Sequence, residues 1–232
     1  MAKKTKSKEK NDQRDNDRTV KKSIIKKENR QLAWFIAIVI VGFIIFFGIY
    51  LYLEKSKEPE KFNYIGVDWT VEPYEDFTTY HARFQSFAHE NLTYNLYLRN
   101  DPRENNVSVD GNLTYFKYGG ILAFSPEVDE CREDVPIATV AFASFLQSVV
   151  GMREVIPGTT DFEVYQETGK VFTDCSISNR VVFIIQKGNE SSVVQSPKNP
   201  YCYTITIKDC EDVLPIEKFI IETMRERNNN LE

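Results

Sequence analysis

"YCYTITIKDCEDVLPIEKF", residues 201–219, sets two cysteines eight positions apart around an alternating run and then turns apolar at helical spacing. Tyr203, Ile205 and Ile207 alternate with Thr204 and Thr206, the period of a half-buried strand. The following "VLPIEKFIIETMRER" brings Leu214, Phe219, Ile220 and Met224 towards one stripe, which predicts a closing amphipathic helix. A regular strand over 203–207 would hold Cys202 and Cys210 roughly 20 Å apart. A disulfide needs α-carbons within about 7 Å, so direct pairing requires a bulge or an early turn.

An internal echo suggests partners for both. Cys131 opens "CREDVPI" and Cys210 opens "CEDVLPI", the same spacing from cysteine to Pro-Ile. Acids followed by proline suit a helix start, where negative charge meets the dipole and a missing N–H costs nothing. Cys131 and Cys210 are therefore expected at equivalent helix N-termini. If 180–186 and 202–207 run parallel, with 192–195 returning between them, Cys175 and Cys202 share one end of a sheet. Cys131 and Cys210 then share the other. Of the three pairings open to four cysteines, this favours Cys131–Cys210 with Cys175–Cys202. The chain lacks the Cys-x-x-Cys spacing of a thiol exchanger and the closely spaced Cys or His pairs of a zinc site. Structural disulfides are the expectation.

Upstream, "KFNYIGVDWTV", "TTYHARFQSF" and "LTYNLYLR" read as strands rich in aromatic and β-branched residues. In the last of these, Leu92, Tyr94, Leu96 and Leu98 share one face, and Thr93, Asn95, Tyr97 and Arg99 the other. "NDPRENN" is a turn, "VSVDGNLTYFKYGG" a hairpin about Asp110-Gly111, and "ILAFSP" completes the same sheet. Residues 136–150 predict a mostly buried helix ended by Gly151, and 180–195 a buried strand, a turn at 187–190 and a return strand. The fold class is thus α+β: one domain over 62–226 with a mainly antiparallel sheet and two packed helices, closed by a frayed tail over 227–232.

The compartment follows from the other end of the chain. Residues 32–53, "LAWFIAIVIVGFIIFFGIYLYL", carry no charge over 22 positions, enough at about 1.5 Å per residue to span a hydrocarbon core of roughly 30 Å. Trp34 near one end and Tyr50 and Tyr52 near the other suit the membrane interface. No small-residue cleavage site follows, so a retained signal-anchor is expected. Residues 1–30 hold twelve basic and five acidic residues, net +7; with the chain at −5, the remainder carries −12. The positive-inside rule keeps this basic, disordered tail cytoplasmic and sends the domain outside the cell membrane on a stalk over 54–61. A tail without aromatics or a recognition motif is explained by topology and contact with anionic headgroups, and no nucleic-acid partner is expected. All four cysteines and four sequons, at Asn91, Asn106, Asn112 and Asn189, fall on the exported side and mark possible glycosylation.

Catalytic signatures are missing from the sequence, and no cofactor or small-molecule substrate is expected. His81 and His89 have no evident third ligand and read as surface polar residues. Asp129, Glu130, Glu133 and Asp134 would converge on Asp209, Glu211 and Asp212 if Cys131 met Cys210. Dipole-matched acids at two helix starts explain them better than calcium does. The "NDPR" turn could display Arg99, Asp101 and Arg103 to a partner.

"YLRNDPR", "IATVAFASFLQSVVG" and "VFIIQKGNES…NPYCYTITIKDCEDVLPIEKFI" resemble, in motif order across most of residues 62–224, uncharacterised single-pass membrane proteins of small-genome archaea. The resemblance implies an outward-facing archaeal envelope protein and carries no activity. The expected function is a membrane-anchored extracytoplasmic binding or scaffold subunit of a cell-envelope assembly, partnered by the bilayer and another envelope protein. The alternative is a membrane-anchored ectoenzyme, a hydrolase acting on cell-surface polymer.

Overall fold

The computed structural model describes residues 34–52, 59–89, 91–114, 116–132, 134–177 and 179–229. Glu133, the tail over 1–30 and most of the stalk lie outside the described residues. The chain divides into two units at Glu58 and Pro59. In the first, α1 (Trp34–Tyr52) is a 19-residue apolar helix with no buried positions, long and apolar enough to cross a membrane.

The second unit has two sheets rather than one. The smaller is an antiparallel meander of β1 (Lys61–Tyr64), β2 (Val67–Pro73), β3 (Thr78–Gln85) and β4 (Thr93–Leu98), in that order. The stretch read as one opening strand is a hairpin, because Ile65 and Gly66 both take positive φ, 52° and 74°. That is the backbone of a tight primed turn, and a β-branched residue enters it only under strain. Asn228 clamps it by donating from Nδ2 to the Ile65 carbonyl at 2.6 Å.

The larger sheet holds β5 (Ser108–Asp110), β6 (Gly119–Phe124), β7 (Glu154–Thr159), β8 (Val171–Phe172), β9 (Val181–Lys187), β10 (Ser192–Gln195) and β11 (Cys202–Ile207). Its spatial order is β5-β10-β11-β9-β6-β7-β8, and every pairing except β10 with β11 is parallel. Three expectations are corrected here. "ILAFSP" supplies β6 in the middle of this sheet, not the last strand of the first. No hairpin forms at Asp110-Gly111, since β5 runs parallel to β10. Strand β10 does not return between β9 and β11 but flanks β11 on its outer side. There β10 lies between β5 and β11, with Val193 buried and Val194 exposed.

Two long helices, α3 (Asp134–Ser148) and α5 (Leu214–Asn229), join both sheets; α2 (Pro126–Asp129) and α4 (Phe162–Thr168) are short. Helix α3 meets the meander through Tyr94 and Phe145, 6.4 Å apart, and the large sheet through Phe142 and Phe183, 5.4 Å apart and edge to face. Helix α5 sends Phe219 into the same cluster, 5.2 to 5.5 Å from Phe142, Phe183 and Tyr203. Such edge-to-face pairs add about 0.5–1.5 kcal/mol each beyond area burial. Because sheets lie on two sides of it, α5 is more than amphipathic: Ile216, Glu217, Ile221 and Thr223 are buried along with Phe219, Ile220 and Met224. It also continues helical through Asn229, past residue 226 where fraying was expected, with Arg225 reaching the Tyr64 hydroxyl at 2.6 Å.

Strand β9 alternates between two apolar clusters: Val181, Phe183 and Ile185 face the helices, and Val182 and Ile184 face a smaller cluster behind the sheet. Disulfides fasten each side. Cys131–Cys210, with α-carbons 5.3 Å apart, ties the α3 start to the α5 approach, and the Val135 N–H donates to the Cys210 carbonyl. Cys175–Cys202, 5.4 Å apart, closes the smaller cluster. These are the pairs the echo favoured. β9 and β11 are indeed parallel, which puts the pairs at opposite ends, although the intervening strand assumed in the sequence reasoning is elsewhere.

Candidate functional site

The meander lays its inner face, with Trp69, Ala82, Leu96 and Leu98, on the helices and turns its outer face away from them. At the end where β2 turns into β3 and β4 finishes, large apolar side chains stand in the open. Tyr74 is 53% exposed, Phe77 47%, Tyr97 52%, Ile137 64% and Val140 72%. They are joined through contacts. Tyr74 stacks on Phe77 at 5.0 Å, and the Arg99 guanidinium lies 5.3 Å over the Phe77 ring. Arg99, Tyr97 and Ile137 all border one small pocket, and Val140 lies one turn from Ile137 on α3. A helix meant only for a core would not place Ile137 and Val140 outward, and the expected mostly buried helix is corrected on this face.

The pocket has a volume of about 70 Å³ and its floor is Glu217. Glu217 Oε1 accepts the Arg99 backbone N–H at 2.5 Å, and Oε2 accepts from Asn100 N at 3.3 Å and Asn100 Nδ2 at 2.9 Å. Burial pushes the carboxyl up to about 7, against the pull of those donors and of Arg99. Sequence reasoning missed this residue; an acid within "LPIEKFII", amid apolar neighbours, was the available signal. At the mouth, Arg99 pairs with Asp134 at 2.7 Å. So the pocket contains an acid of shifted titration, but 70 Å³ lies far below the roughly 300 Å³ where small-molecule sites begin. The Glu217 oxygens are also committed to backbone and amide donors. Its role is that of a structural clamp on the Arg99–Asn100 segment.

In the turn of Arg99, Asp101 and Arg103, Arg103 stays exposed while it holds its neighbour. Arg103 grips Asp101 through Nε and a second nitrogen at 2.6–3.1 Å and lies 3.8 Å over the Phe62 ring. Those bonds hold the Asp101 carboxyl below its usual range, and Pro102 is buried. Of the three, Arg99 alone borders the apolar surface.

The acids around Cys131 and Cys210 do not pool. Asp129 binds Lys170 at 2.6 Å, Asp134 binds Arg99, Asp209 caps the N–H groups of Glu211 and Asp212, and Asp212 accepts from Ser191. Among the described residues no group of three or more His, Cys, Asp or Glu is placed to hold a metal ion. His81 and His89 are separated, one on β3 and the other in the following loop. Asn91, Asn106, Asn112 and Asn189 are all exposed.

The outer face of the meander is polar and ordered. His81 Nδ1 meets Glu72 Oε1 at 3.0 Å, Nε2 meets Asn95 Oδ1 at 3.2 Å, and the ring stacks on Tyr97 at 4.4 Å and 7°. Beside them lies an open depression of about 550 Å³ bordered by Lys61, Asn63, Asp68, Thr70, His81 and Arg83. No protein-family model, no curated protein and no solved structure matches this chain.

Proposed function

We propose that this protein is an outward-facing, membrane-anchored binding subunit that docks another envelope protein through the surface of Tyr74, Phe77, Tyr97, Ile137 and Val140. The anchor is α1, which fits a bilayer by length and composition. The two disulfides suit an oxidising compartment and staple the domain against its conditions.

The observation that carries the reading is the group of exposed apolar and aromatic side chains around Arg99, edged by the Arg99–Asp134 ion pair. Aromatic anchors with an arginine at the rim are what buried interface centres use, and a soluble domain gains nothing by leaving such a surface wet. The anchor adds to this by confining the domain to a plane, which raises its effective concentration towards a membrane partner. Photo-crosslinking from Val140 in native membranes tests the reading: one dominant adduct with an envelope protein supports it, and adducts only to lipid or solvent overturn it.

A further inference from the structure

We propose that the outer face of the β1–β4 meander is a second binding site that takes an acidic oligosaccharide. This goes beyond the docking reading and does not rest on it, although Tyr97 borders both surfaces.

Strand register builds the face as a grid. Lys61, Thr70, His81 and Tyr97 lie side by side across β1 to β4, because Lys61 pairs with Thr70, Thr70 with His81 and His81 with Tyr97. The next row holds Asn63, Asp68, Arg83 and Asn95, with Asn63 paired to Asp68 and Arg83 to Asn95. Side chains two apart share a face, so both rows point outward. Lys61 and Arg83 sit diagonally across the depression, about 12 Å apart by strand spacing and rise. That is the reach of two pyranose rings.

Three features suit this face to a ligand. First, among the described residues neither the Lys61 ammonium nor the Arg83 guanidinium has an ion-pair partner, so both charges are open to a ligand. Arg83 does not bond the neighbouring Asp68, which is held instead by Asn63 Nδ2 at 2.8 Å. Second, the hydroxyl-binding groups are pre-set: Asn63 fixes Asp68, and Glu72 and Asn95 fix His81. Orientation before binding lowers the entropy cost of capture. Third, the Tyr97 ring lies flat against His81 at the border of the grid and leaves half of its surface open. The electron-rich ring face suits the C–H groups of a sugar's apolar side.

The chemistry follows from these groups. Arg83 offers a planar fork to a carboxylate or sulfate, Lys61 a point charge to the next acidic group, and Asp68, Asn63 and Thr70 accept and donate to hydroxyls between them. Asp68 and Glu72 also face the ligand. They disfavour a bare polyanion and favour one rich in hydroxyls.

The test is titration of the full-length protein in nanodiscs with trigalacturonate, with a sulfated galactan oligosaccharide and with neutral galactotriose, at two salt concentrations. The expected result is saturable binding of one or both acidic sugars and at least tenfold weaker binding of the neutral one. Trigalacturonate alone identifies a carboxylated ligand; the sulfated sugar alone identifies a sulfated one. Arg83→Ala should weaken binding by roughly tenfold or more, the scale of a bidentate charged pair, and Lys61→Ala by several-fold. Arg83→Lys should recover part of the loss, and Lys208→Ala should change nothing. Both cations are exposed, so thermal melts of the variants should match the parent. Absence of binding by both acidic sugars, equal binding of the neutral sugar, or binding indifferent to Arg83→Ala would overturn the proposal.

Discussion

Glu217 makes the stability of the domain depend on pH in a direction opposite to that of most carboxylates. Its folded value is about 7 against an ordinary 4.5. At 1.36 kcal/mol per unit, the neutral form is favoured in the fold by about 3 kcal/mol. The folded state therefore binds more protons than the unfolded state between those two values. The contribution is fully present below about pH 4.5, is lost as pH rises to about 7, and is flat above that. Glu217→Gln removes the titration but keeps the shape; its amide must turn one N–H group towards the Arg99 or Asn100 donors, which costs about 1–3 kcal/mol. The measurement is denaturant unfolding of the full-length protein in detergent at pH 5, 6, 7 and 8, followed by near-ultraviolet circular dichroism. The parent-minus-variant difference cancels groups common to both, including Glu226, whose carboxyl is also raised by burial. That difference should shrink by about 2–3 kcal/mol from pH 5 to 7. A difference that is constant across the range, or that grows with pH, would refute the reasoning.

Two further perturbations follow from the same packing. Replacing Cys131 and Cys210 by serine opens a loop spanning 79 positions and should cost about 4–5 kcal/mol, against about 3–4 for Cys175 and Cys202, which close 27. Urea midpoints of the two double variants give the order, and equal or reversed losses would show that chain entropy is not the controlling quantity. Phe219→Ala removes the ring shared by Phe142, Phe183 and Tyr203 and should cost about 3–5 kcal/mol by the same assay. A loss under 1 kcal/mol would mean that the cluster is looser than its ring geometry.

The parts of the fold legible in the sequence were those with local period. "LTYNLYLR" declared which side chains would be buried, and the structure buries Leu96 and Leu98 while leaving Thr93, Asn95 and Tyr97 exposed. The echo at Cys131 and Cys210 carried longer-range information, because proline and acids mark helix starts wherever these occur. What failed was sheet membership. "GGILAF" is a continuous apolar run, the signature of a strand covered on both faces in a parallel sheet, and its proximity in sequence to the antiparallel strands is a misleading guide. The hairpin at Ile65-Gly66 was hidden because a β-branched residue occupies a position that glycine or asparagine usually takes. Helix α4 has caps that are legible locally: Asp161 accepts from Glu163 and Val164, and Gly169 ends it at φ 68°.

The candidate surface was less legible for a physical reason. Exposure of Ile137 and Val140 depends on which side of α3 the second sheet leaves open, and "PIATVAFASFLQSVV" is apolar on nearly every side. Glu217 was invisible for the converse reason, since an acid's burial depends on donors more than a hundred positions away, at Arg99 and Asn100.

The central claim, that the surface around Ile137 and Val140 docks an envelope protein, is tested most directly by site-specific photo-crosslinking in native membranes. A photoreactive residue at Val140 should give one dominant, stoichiometric adduct with a membrane or envelope protein. Ile137→Glu in the same chain should abolish it, and a photoreactive residue at exposed Lys198 should not produce it. Adducts from Val140 only to lipid or solvent, or the same adduct from Lys198, would contradict the account.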